Sequence, residues 1–157
     1  MKSSRTIMME KAIQKYFLEK YDIALVSEFR NEKYGRHSYI IDLFGLATFP
    51  KGSAKPDDLK DAIAIEIKQS VNDFYSGHGL NFVGSSNYLA VPSELVGFGI
   101  EFLRENKLGN VGVIEVTNKA LVRTVLYPQI KVDNDFIWIE KVCCVFTPFH
   151  LNQRKSD

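Results

Sequence analysis

Residues 62–69 read Ala-Ile-Ala-Ile-Glu-Ile-Lys-Gln. An apolar stretch with a β-branched residue at every second position suits a central strand covered on both faces. Side-chain alternation puts Ala62, Ala64, Glu66 and Lys68 on one face and Ile63, Ile65 and Ile67 on the other. The chain has to build a sheet around this strand and also accommodate a carboxylate and an ammonium at its end. Such groups are rarely buried without a partner or a task. The two alanines leave room above them. A lone Glu-x-Lys also occurs as a weak surface ion pair, so the pattern takes its meaning from its surroundings.

The chain has 157 residues, of which 45% are hydrophobic and 25% charged. One domain over residues 1–157 is expected, with a core that needs no disulfide or metal and with residues 1–5 and 152–157 flexible. No apolar run is long enough to span a bilayer, and the N-terminal residues lack the apolar centre of a signal peptide. A cytoplasmic protein with no membrane partner is therefore expected. Cys143 and Cys144 are adjacent in an apolar stretch, where alternation sends them to opposite faces and makes them reduced packing residues. A net charge of +1 counts against extensive non-specific phosphate binding but leaves room for a local basic patch.

Apolar spacing predicts an amphipathic helix over residues 7–21, a strand over 24–30, a polar connection with Gly35, and a long strand over 37–49. Residues 50–61 read as a loop. After the central strand a short helix or turn is expected at 70–75, another at 80–83, and a strand at 87–91 stopped by Pro92. A helix follows, capped by Ser93 and ended by Gly109, and then strands at 111–116 and 120–126. The apolar run 136–146 fits either a strand or a helix.

Acids stand on the three early strands: Glu28 on the first, Asp42 on the second, and Glu66 two residues before Lys68 on the third. Aspartate is disfavoured inside a strand and costly to bury ionised, so Asp42 needs a hydrogen-bond donor, a metal or an altered pKa. This set, in this order of elements, resembles the PD-(D/E)xK nuclease superfamily. The resemblance implies an α/β fold with a restriction endonuclease-like core, a mixed central sheet flanked by helices in the order αβββαβ. It also implies that Asp42 and Glu66 bind Mg²⁺ or Mn²⁺ and that Lys68 is the motif lysine. The residue before the aspartate is often proline in that superfamily and is Ile41 here. Four features are similar to the MmcB-like DNA-repair branch: Val26-Ser27-Glu28-Phe29, Gly35-Arg36, the run from Glu66 to Phe74, and Tyr88-Leu89-Ala90-Val91-Pro92.

The chemistry can also be argued from the residues. Mg²⁺ takes hard oxygen ligands and keeps several waters, so Asp42, Glu66 and the backbone carbonyl of Ile67 suffice to hold it. The bound ion polarises a phosphodiester and a water, while Lys68 positions that water or offsets charge developing on the phosphate. Glu28 is a candidate third ligand, with a solvated strand carboxylate as its alternative, and Glu10, on the first helix, a candidate accessory acid, for which a solvated helical face is the preferred reading. Gln69 and Asp73 are candidate accessory or substrate-contacting residues. Tyr75 and His78 follow closely, with DNA contact and turn formation as their alternatives. His37, His78 and His150 lack zinc-ligand spacing, and there is no nucleophile elbow or phosphate-binding Gly-rich loop. The expected function is metal-dependent hydrolysis of DNA, with a homodimer open. The alternative is a non-catalytic module of the same fold that binds nucleic acid or a protein.

Overall fold

The computed structural model describes residues 1–33, 37–48, 59–76, 80 and 82–130. Among the described residues, six strands form one mixed sheet in the order β1-β2-β3-β4-β5-β6, which makes the fold α/β. Helix α1 (Ser4–Tyr21) leads into β1 (Val26–Lys33), β2 (His37–Thr48) and β3 (Leu59–Ile67), a three-stranded antiparallel meander. Helix α2 (Val71–Tyr75) then crosses to β4 (Ser86–Pro92), which pairs with β3 in parallel. A 3-10 turn (Ser93–Leu95) and α3 (Val96–Glu105) lead to β5 (Gly112–Val116), parallel to β4, and β6 (Val122–Leu126) closes the order antiparallel to β5.

The alternation expected for β3 sorts the core. Ile63, Ile65 and Ile67 pack with Met9, Ile13 and Phe17 of α1, together with Leu43, Tyr88, Ala90, Ile114 and Val116. On the other face Ala62 and Ala64 join Phe44 and Leu46, while Leu89, Val91 and Val113 meet Phe74 of α2 and Phe102 and Leu103 of α3. Ser3 caps α1, accepting the Thr6 N–H, so the helix starts a turn earlier than its apolar spacing alone predicts.

β3 is tied to the start of β4 by polar side chains. The Ser85 hydroxyl takes the Ala62 N–H at 2.7 Å, and Asn87, fully buried, accepts the Gly84 N–H and donates to the Gly84 carbonyl, both at 2.8 Å. These bonds satisfy backbone groups that the short loop would otherwise bury unpaired.

Several local expectations need correction. The described residues among 80–83 are not helical. β4 ends at Pro92 as expected, with the proline itself its last residue. Ser93 does not cap α3, because its own turn intervenes and Leu95 holds the cap position. Gly109 does not end that helix: α3 stops at Glu105, with Asn106 at the C-cap and Lys107 in the left-handed region at φ 57°. The run 136–146, Cys143, Cys144, His37's side chain, His78, His150, Gly35-Arg36 and residues 152–157 lie outside what is described, as do residues 50–58 of the expected loop.

Candidate active site

The register of the meander aligns the three strand acids. Ser27 pairs with Leu43 and Phe29 with Ile41, which leaves Glu28 level with Asp42. On the other side Leu43 pairs with Ile65, so one step along Asp42 comes level with Glu66. Glu28, Asp42 and Glu66 thus form a row across β1, β2 and β3.

Alternation slips at this row. Ile41 and Phe44 belong to one apolar cluster although three residues apart, and Val26 and Phe29, also three apart, pack against that same cluster. The rings of Phe29 and Phe44 stack 4.8 Å apart. Each strand therefore spends one extra residue at the same level, Glu28 in β1 and Asp42 in β2. Glu28 carries the distortion as a left-handed backbone at φ 52°, uncommon for a residue other than glycine.

The slip turns the Asp42 carboxylate into the seam between β2 and β3, where its Oδ2 accepts the backbone N–H of Ile67 at 2.8 Å. That bond supplies the donor an acid inside a strand requires. The N–H and carbonyl of one strand residue point toward the same neighbouring strand, so the Ile67 carbonyl is directed to the Asp42 side. The next residue points the other way, and the Lys68 N–H donates to the Ala90 carbonyl at 3.0 Å.

Glu66 is fully buried, with both carboxylate oxygens sealed from solvent, and Lys68 is only 5% exposed. Glu66 lies level with Leu89 in β4. By parity its side chain belongs to the face that carries Ala62, Ala64 and Leu89, away from α1.

The accessory candidates divide. Glu10 is buried on α1 and pairs with Lys2, which also reaches Glu28 at 3.3 Å. Burial works against the Lys2 charge, but the bonds and attraction from Glu10 and Glu28 outweigh it and raise its pKa above the usual lysine value. Gln69 points toward α1, where its side-chain oxygen accepts the Ser3 hydroxyl at 2.6 Å. Asp73 makes a variant of the capping box: its carboxylate accepts the N–H of Gln69, one residue before the Ser70 cap, at 3.0 Å, while its own N–H donates to the Ser70 hydroxyl. The structure therefore brings Asp42, Glu66, the Ile67 carbonyl and Lys68 to one end of β3. Glu10 and Glu28 are tied to Lys2, and Gln69 to Ser3 on the α1 side of the sheet.

Lys2 and Ser3 are the residues that sequence reasoning missed. The signal for Ser3 was its position just ahead of a helical pattern; Lys2 left none, because its partners are gathered only by the fold.

Among the described residues, no three His, Cys, Asp or Glu side chains converge as a metal cluster, and no helix is long and apolar enough to cross a membrane. The donor set nevertheless fits a hard divalent cation, with a half-buried aspartate, a buried glutamate level with it and a carbonyl directed to the same seam. Set against family models, curated proteins and solved structures, the chain matches none.

Proposed function

We propose that this chain is a metal-dependent deoxyribonuclease with a restriction endonuclease-like core, in which Asp42 and Glu66 hold Mg²⁺ or Mn²⁺ and Lys68 assists the reaction. The observation that carries this reading is that Asp42 and Glu66 stand level on the neighbouring strands β2 and β3, with Asp42 bonded to the Ile67 N–H and Lys68 two residues beyond a buried Glu66. The element order from α1 to β4, helix, three antiparallel strands, helix, parallel strand, supports it as well.

Asp42 and Glu66 would hold the ion through hard oxygens, and the Ile67 carbonyl completes the protein's share of the ligands. When bound, the ion polarises the scissile phosphodiester and lowers the pKa of water. The chain's own residues supply the rest. The Ile67 N–H fixes one oxygen of Asp42, and the other would be the one that meets the ion. The walls around Glu66 exclude water, which strengthens every charge interaction inside. Lys68 Nζ donates hydrogen bonds to a phosphate oxygen as negative charge builds there, and its burial keeps it in place.

The test is calorimetric titration with Mn²⁺ at neutral pH on the wild type, Asp42→Ala and Glu66→Ala. Binding by the wild type that disappears in both variants is expected. Absence of binding by the wild type, even with a short DNA duplex present, would overturn the reading and favour the non-catalytic module.

A further inference from the structure

The active-site end of β3 leads directly into an exposed aromatic surface. Tyr75, at the end of α2, is 70% exposed, and Val71, one helical turn before it, is 42% exposed. Residues four apart share a helix face, so the two make one apolar patch.

The patch is firmly backed. The Tyr75 ring meets Phe98 and Phe102 of α3 edge-on, each at 6.3 Å between centroids, at 76° and 79°. Phe74 fills the layer beneath, 5.0 Å from Phe98 and 4.9 Å from Phe102. Phe74 packs in one cluster with Leu89, the strand neighbour of Glu66. A single packed layer therefore connects the exposed ring to the strand position beside Glu66, on the face toward which Glu66 and Lys68 point. The Ser70 and Asp73 capping box fixes the start of this short helix three residues after Lys68.

We infer that Tyr75 is a stacking platform for an unpaired nucleobase next to the scissile phosphate, which makes a single-stranded or splayed nucleic acid the preferred substrate class. This rests on the nuclease reading and deepens it. A ring supported edge-on by two others offers a fixed open face, and every base has a π-face to lay on it. Paired bases within a duplex are stacked on each other and have no free face to give. Val71 extends the apolar floor beside the ring.

The test is fluorescence anisotropy with a labelled single-stranded oligonucleotide and a blunt duplex of the same sequence, with Ca²⁺ present, on the wild type, Tyr75→Ala and Tyr75→Phe. The wild type is expected to bind the single strand more tightly. Tyr75→Ala is expected to lose about fivefold to about a hundredfold of that affinity, the range one base–aromatic stack supplies, while Tyr75→Phe retains it. Equal binding of both oligonucleotides by the wild type, or unchanged single-strand affinity in Tyr75→Ala, would overturn the inference. The nuclease reading would stand in that case if Mn²⁺ binding and its loss in Asp42→Ala persist, so the two failures are distinguishable.

Discussion

The Asp42 carboxylate accepts the Ile67 backbone N–H at 2.8 Å across the seam between β2 and β3. One side chain thereby serves two ends, satisfying a strand donor and presenting an acid level with Glu66. Asp42→Asn keeps an acceptor and is expected to unfold within about 1 kcal/mol of the wild type, whereas Asp42→Ala strands the N–H and costs about 1–3 kcal/mol. Urea denaturation measures both. Each variant is expected to lose Mn²⁺ binding, which separates the structural use of the acid from its chemical one.

Gly84 lies against the backbone of β3. A Cβ there would stand 2.4 Å from the Ala62 carbonyl oxygen and 3.0 Å from the Ala64 nitrogen, with no flexible side-chain end to give way. Gly84→Ala is expected to destabilise the fold by about 1–3 kcal/mol, read as a lower urea midpoint with unchanged slope.

The capping box at α2 gives Asp73 a structural role. Ser70→Ala is expected to cost about 0.5–2 kcal/mol of stability and to leave the rate of DNA cleavage by the folded protein unchanged. A fall in rate in the folded variant would instead give the Ser70 hydroxyl itself a part in the reaction.

Glu115 contributes to acid stability. The Ser93 hydroxyl, followed by the Arg123 guanidinium, holds its carboxyl below the ordinary glutamate value of 4.5. A depressed folded-state pKa adds stability that is present above the unfolded value and is lost as pH falls through the folded one. Melting temperatures measured from neutral pH down to about pH 3 are expected to fall less steeply in Glu115→Gln than in the wild type.

Much of this site was legible in the sequence because it rests on strand periodicity. The two-residue alternation of residues 62–67 already separates the isoleucines from the alanines, and the core follows that division. An aspartate inside the apolar run Ile40-Ile41-Asp42-Leu43-Phe44 announces a need for a donor, and Ile67 provides one. Other features depend on tertiary contacts. Ser3 and Gln69 are 66 residues apart and meet only because α1 packs on the isoleucine face. The slip at Glu28 and Asp42 needs both strands in register before it exists. Ser93 has the composition of a helix cap, but the fold turns its hydroxyl to Glu115. Gly109 follows a helix that Asn106 had already ended, its side-chain nitrogen donating to the Phe102 carbonyl at 2.8 Å.

In the proposed reaction Asp42, Glu66 and Lys68 act together on a phosphodiester. The most direct test of this joint role is cleavage of an end-labelled DNA substrate in Mn²⁺ by the wild type, Asp42→Asn, Glu66→Gln and Lys68→Met, each first shown to be folded by circular dichroism. Cleavage by the wild type and a loss of at least about a hundredfold in every variant are expected. Cleavage that survives undiminished in the three folded variants would contradict that role.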